Sequence, residues 1–127
     1  MNKKRPVNLE LSTIAFPVTA IVSITHRISG VALLAGVLIL MWMLDTSLES
    51  EDGFVAVKSL LALPWVKLII WFVLVALAYH LVAGIRHLIM DMGVGESLQG
   101  GRLGAKLTIL LAVVLIVLAG VWLWLPQ

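Results

Sequence analysis

Three long apolar runs organise this chain. Residues 28–44, 68–85 and 107–125 contain no Asp, Glu, Lys or Arg. Each is close to the ~20 residues that cross a hydrocarbon core ~30 Å thick. In lipid, a single segment satisfies its own backbone only as a helix. The pattern therefore predicts an all-α membrane protein, one domain over 1–127, with transmembrane helices at about 23–45, 66–90 and 105–125. The first extends back through Ser23–Arg27 because a long cationic side chain near a helix end reaches the interface. Residues 46–65 are left as the outer loop. Within it, Phe54, Val57, Leu60 and Leu61 fit one face of a short helix lying on the membrane, and Pro64 ends that helix before the second span.

The charges give the runs a direction. Of 9 Lys and Arg residues, Lys3, Lys4, Arg5 and Arg27 precede the first span, and Arg86, Arg102 and Lys106 lie between the second and third. The loop between the first two spans has only Lys58 and Lys67, against Asp45, Glu49, Glu51 and Asp52. Basic residues stay in the cytoplasm, which predicts a cytoplasmic N-terminus and a periplasmic C-terminus. Trp42, Trp65, Trp71, Trp122 and Trp124 fall at or near outer ends of spans, as expected of an interfacial belt. The basic N-terminus is not followed at once by a short apolar region, so the first span is read as an anchor and not as a cleaved signal.

Composition narrows the chemistry. The chain is 61% hydrophobic and 13% charged over 127 residues, more apolar surface than a soluble domain of that length can cover. The net charge of +2 signals no nucleic-acid partner. Cysteine is absent, which removes disulfides, thiolate metal sites and iron–sulfur ligation. A metal centre here must use His, carboxylate or Met.

Few polar side chains interrupt the spans, and the third has no ionisable one. The second contains His80, placed by helical rise ~18 Å from one end of the apolar run and ~7 Å from the other. An imidazole at that depth needs a partner. It can bond to a neighbouring helix, relay protons or ligate a metal. Gly84 follows four residues later on the same face, opening room for another helix or for a flat macrocycle. His87 shares that face two turns on, ~10 Å away, so His80 and His87 cannot grip opposite sides of one iron. The remaining histidine, His26, stands at the entrance to the first span, and a partner subunit is the more natural source of a second axial ligand. In the stretch SITHRISG, Ser23, Arg27 and Gly30 follow i, i+4, i+7 spacing, with His26 beside them. This cluster is either a serine cap with a snorkelling arginine or a set of donors for a carboxylate or carbonyl oxygen. With His80 and His87 it can line one cavity in the cytoplasmic leaflet.

Two segments carry a resemblance. RPVNLELSTIAFPVTAIVSITHRIS begins with Arg5-Pro6 and ends with Ser23-x-x-His26-Arg27-x-Ser29; HLVAGIRHLIMDMG runs His80-x-x-x-Gly84-Ile85-Arg86-His87, then Met90-Asp91-x-Gly93. Together they resemble the signature segments of the cytochrome b556 membrane-anchor subunits of succinate dehydrogenase, respiratory complex II. The likeness extends over essentially the whole chain. It implies a helical bundle formed with a second small anchor subunit around a shared haem b. It also implies an iron–sulfur subunit docked on the pair and a flavoprotein subunit on that, so that FAD and the iron–sulfur clusters reside in partner subunits. Electrons from succinate pass through the clusters to ubiquinone in a bacterial inner (cytoplasmic) membrane. By motif, His80 resembles the haem axial ligand, with the other axial His from the partner anchor. Ser23 and Arg27 resemble quinone-site residues, His26 and Arg27 residues near the haem propionates, and Gly84 part of the haem pocket. Phe16, Pro17 and Ile24 are further candidates for the quinone wall.

The chemistry of those residues is compatible with the roles. Two imidazoles give a six-coordinate haem suited to electron transfer. A cation at the membrane edge compensates anionic propionates. Donors such as a hydroxyl and a guanidinium stabilise charge developing on quinone oxygens where water is scarce. Such a chain would be a non-autonomous subunit, without catalysis of its own. The nearest rival is a fumarate reductase anchor using menaquinone. A small proton conductor relaying through His80 is disfavoured because the outer halves of the spans lack polar residues. A purely structural tether does not explain why Ser23, Arg27, His80 and Gly84 can converge in one leaflet. For Arg86, His87 and Asp91, proton delivery or docking of the iron–sulfur subunit stands against a helix-anchoring Arg86 and a paired or solvated Asp91; His87 stays open.

Overall fold

A computed structural model describes residues 7–125. Lys3, Lys4, Arg5 and Pro6 lie outside the described residues. The described chain is all helical: a 3-10 turn at Leu11–Thr13, then α1 (Val18–Glu49), α2 (Glu51–Ala62), α3 (Pro64–Asp91) and α4 (Leu98–Trp124). α1, α3 and α4 are long and apolar enough to cross a membrane.

The helix ends depart from the sequence reading in instructive ways. α1 starts at Val18, with Pro17 in an extended conformation ahead of it. Ser23 therefore lies inside the helix, and the serine-cap reading falls. α1 also continues past the apolar run to Glu49, because no breaker intervenes before Ser50. Its 32 residues span ~48 Å, well beyond a hydrocarbon core. Ser50 then caps α2: its side chain accepts from Gly53 N at 3.0 Å, with Glu51 and Asp52 in the first turn where the helix dipole favours anions. Gly53 is required by space, since a Cβ there would lie 2.2 Å from Thr46 O. Pro64 opens α3 in the first turn, leaving Leu63 as the joint after α2. The α3–α4 turn passes through Gly93 (φ 81°) and Gly95 (φ 77°), backbone conformations that L side chains resist. Ser97 caps α4 by accepting from Gly100 N.

α3 is the central helix. It packs against both α1 and α4, which also meet each other where Val22, Ala83 and Ala105 form one buried cluster, and α2 closes one end against α1 and α3. The α1–α3 seam has a seven-residue register. The buried positions of α1 are Val22, Ser29, Gly36 and Met43. Met43 shares a cluster with Val66, Gly36 faces Val73, and Ser29 meets His80. Each seven-residue step along α1 is thus answered by a seven-residue step back along α3, the spacing of left-handed antiparallel packing. Lipid tails are as apolar as the side chains, so helices gain most by close approach of small residues. α4 uses Gly101, Ala105, Thr108 and Ala112 for its buried stripe. Within the apolar windows only 17%, 22% and 11% of the residues of α1, α3 and α4 are buried, so most apolar surface faces outward, toward lipid or other chains.

At the α2 end, Val57 and Leu61 pack with Met43, Val66 and Ile70, whereas Phe54 of the expected membrane-facing stripe is exposed. Trp42, Trp65, Trp122 and Trp124 are exposed at this end. Trp71 stands near the same end, beside Trp124, but is half-buried. It lies between α3 and α4, donating from Nε1 to Ile116 O at 3.4 Å and standing edge-on to Trp124. A Cβ on Gly120 would sit 3.0 Å from its Nε1.

Candidate functional site

The opposite end holds the histidines. His80 projects from α3 into the α1 seam, where its Nδ1 lies 3.1 Å from Ser29 Oγ and 3.1 Å from His26 O. Ser29 Oγ donates its one proton to His26 O at 2.7 Å. The Nδ1 is then the donor to both oxygens, because an unprotonated Nδ1 would oppose the carbonyl lone pairs. This network assigns the Nδ1–H tautomer and leaves the Nε2 lone pair available. The ring is also confined sideways: a Cβ on Gly30 would lie 3.1 Å from His80 Cε1.

His26 lies face to face on His80, with ring centroids 4.1 Å apart and planes 13° from parallel. His87 also approaches His26, with ring centroids 5.0 Å apart and planes tilted by 53°. The three imidazoles therefore form one cluster, with His26 bridging the gap between two residues spaced along α3. His26 stands two turns inside α1, not at a helix entrance, because α1 begins early. Its Nε2 is buried and unpartnered among the described residues. Gly84 makes room for that nitrogen, since a Cβ there would come within 3.3 Å of it. Of the two uses of space foreseen at Gly84, the neighbouring helix takes it directly.

A second polar contact fixes the same seam. The Tyr79 OH proton is shared between Val22 O, at 3.1 Å, and Thr25 Oγ1. Thr25 Oγ1 in turn bonds back to Ile21 O at 2.7 Å. Sequence reasoning missed Ser29, Thr25 and Tyr79 as a group. The available signal was hydroxyls near His26 on one helix and beside His80 on the other.

The opening cluster divides. His26, Ser29 and Gly30 turn toward α3, while Arg27 is exposed and Ser23 is half-buried. The shared face proposed for Ser23, Arg27 and Gly30 is thus split: Gly30 meets His80, and Arg27 faces away from the seam. Arg86 is buried against α4, its Nη2 donating to Gly101 O at 3.2 Å, and its Nε is unpartnered among the described residues. It joins α3 to α4 and does not reach the surface. An apolar groove of about 480 Å³, walled by Ile85, Ile89, Leu107 and Leu111, runs beside it. Asp91 is exposed at the end of α3.

Among the described residues no three His, Asp or Glu side chains converge as a metal site. The histidine cluster is thus unsuited to chelating a bare ion. It offers one imidazole with a held Nδ1 and a free Nε2, which suits an iron whose equatorial positions a porphyrin already fills.

Comparison with known proteins places this arrangement. The succinate dehydrogenase/fumarate reductase transmembrane-subunit family matches residues 1–119. A succinate dehydrogenase cytochrome b556 subunit of Coxiella burnetii is 45% identical over 98% of this chain and 100% of its own length. One from Paracoccus denitrificans is 36% identical over 90% of this chain and 88% of its own. The mitochondrial cytochrome b560 subunit of Mus musculus is 34% identical over 88% of this chain and 68% of its own. With three membrane-length helices and likeness along nearly its full length, the chain belongs to the family of succinate dehydrogenase/fumarate reductase transmembrane subunits.

Proposed function

We propose that this chain is the haem b- and ubiquinone-binding anchor of a succinate:quinone oxidoreductase in a bacterial inner membrane. The observation that carries this reading is the clasp on His80: Nδ1 is engaged by Ser29 and His26, so Nε2 is the nitrogen for haem iron. His80 would hold the iron through Nε2, and since His26 and His87 pack in the same side-chain cluster, a further imidazole would be supplied by another small anchor subunit. When bound, haem b supplies one-electron transfer between the iron–sulfur subunit's clusters and the membrane pair.

The roles of this chain's other residues follow from placement. Arg27 is exposed and permanently charged, free to meet a propionate or a quinone oxygen brought by the assembled complex. Ser23, one turn earlier, adds a neutral donor. His26 contributes to the haem surroundings through its buried, unpartnered Nε2, and Gly84 keeps the space for it. Arg27, Arg86, Arg102 and Lys106 belong to the histidine half of the bundle, which is read as cytoplasmic, with the N-terminus inside and the C-terminus periplasmic. The iron–sulfur subunit, carrying the flavoprotein, docks on that face. The apolar cluster of Met43, Val66 and Ile70 at the other end gives no polar path for a proton conductor. The relatives named above are succinate dehydrogenase subunits, which favours succinate oxidation over a fumarate-reducing, menaquinone-linked role.

Purification in mild detergent tests the reading. The expected preparation contains a second small anchor, an iron–sulfur subunit and a flavoprotein, with a reduced b-type α-band. A chain that purifies alone and without haem would overturn it. In the assembled complex, Arg27→Leu should impair quinone reduction while succinate-to-soluble-dye activity is largely kept. Equal loss of both would assign Arg27 to assembly.

A further inference from the structure

Ser29 is one of three buried polar residues in the described chain, with Arg86 and Thr108. Thr108 bonds only to its own helix, at Gly104 O. Ser29 does more. A serine within a helix ordinarily returns its proton to a carbonyl one turn back, and Ser29 does so at His26 O. The same oxygen then faces the next helix and accepts from His80 Nδ1 at 3.1 Å. The hydroxyl thus completes a triangle of Ser29 Oγ, His26 O and His80 Nδ1.

We infer that Ser29 is a positioning residue for the haem ligand: as a second acceptor for the Nδ1 proton it holds the ring plane of His80 and sets the electron affinity of the iron that Nε2 would bind. This rests on the reading of His80 as an axial ligand. The physical logic is short. A hydrogen bond from Nδ1 makes the imidazole a stronger donor at Nε2, which favours the ferric over the ferrous state. His26 O alone leaves a single acceptor for the Nδ1 proton. It is also a poorly directed one, since that carbonyl points along its own helix, where it accepts from the amide four residues on. Gly30, next in sequence, confines the ring edge at Cε1, so Ser29 and Gly30 together define one orientation. Gly30 acts by shape, Ser29 by a bond; only the latter reaches the electronics of the ring.

The experiment is a redox titration of the haem in the assembled complex, with Ser29→Ala and Ser29→Thr beside wild type. Ser29→Ala should retain haem with a raised midpoint potential. A tenfold loss of ferric preference corresponds to about 59 mV for a one-electron couple. Haem should also dissociate more readily, by the 10- to 100-fold typical of a lost ligand partner. Ser29→Thr, which keeps the hydroxyl, should restore the wild-type potential. A Ser29→Ala complex with wild-type potential and haem retention would overturn the inference. If Ser29→Ala fails to hold haem, Ser29→Thr decides: haem at the wild-type potential supports the hydroxyl's role, and equal loss in both variants assigns position 29 to packing and overturns it. The underlying reading fails separately, if His80→Ala keeps an unaltered haem spectrum.

Discussion

Gly36→Ala is a sharp probe of the seam that places His80. The added Cβ would lie 2.8 Å from Val73 Cγ1 and 3.0 Å from Cγ2. Carbon atoms pack best at about 3.5–4.0 Å, so the helices must separate by roughly 0.7–1 Å. Val73 is stiff at χ1 and its two methyls block both staggered escapes. Overpacking of this kind costs about 1–3 kcal/mol. Gly→Ala in a helix returns about 1 kcal/mol through backbone entropy. The net expectation is a loss of roughly 0–2 kcal/mol, a narrow margin that a single variant cannot interpret. A double-mutant cycle with Val73→Ala isolates the clash, because the alanine methyl at position 36 then fills the space that the valine methyls vacate. The expected coupling is about 1–2 kcal/mol in favour of the double variant, within the range for residues in contact. The assay is SDS titration of the complex in mild detergent, followed by helical circular dichroism and by the haem band. Seven residues along the same seam, Ser29 and His80 should also part, weakening a 3.1 Å bond. A Gly36→Ala protein more stable than wild type by the propensity term alone, with no coupling to Val73, would refute the register.

Other outcomes follow from the same packing. Tyr79→Phe removes a hydroxyl that bonds Val22 O and Thr25, and should lower stability by about 1–2 kcal/mol in a detergent melt; Thr25→Val added on top should cost less than it does alone, because the pair acts as one unit. Gly53→Ala should open the α1–α2 corner, where a Cβ meets Thr46 O, and new protease cleavage near residues 49–53 would report it.

The three long helices could be read from charge-free runs, because lipid imposes a length and a conformation. Their ends could not be read as well. α1 begins at Val18 because Pro17 sets the entry and the apolar residues before Ser23 continue the helix, whereas the eye stops at the first polar cluster. His80 was recognisable as costly in lipid, and its face was fixed by Gly84. What held it was not recognisable. Ser29 bonds His80 only because the seven-residue stripes of α1 and α3 run antiparallel in one register, a property of two helices together. Arg86 is similar: Gly101 O is its acceptor only after the turn through Gly93 and Gly95 lays α4 against α3. Arg27 illustrates the opposite limit. The motif points to a role, yet its side chain is exposed, and no contact among the described residues defines that role.

The most direct measurement is the reduced-minus-oxidised spectrum of the assembled complex carrying His80→Ala. Removal of the Nε2 donor should abolish or strongly weaken the b-type α-band while the anchor still co-purifies with its partner subunits. An assembled His80→Ala complex with the wild-type band would contradict the assignment of His80 to haem iron.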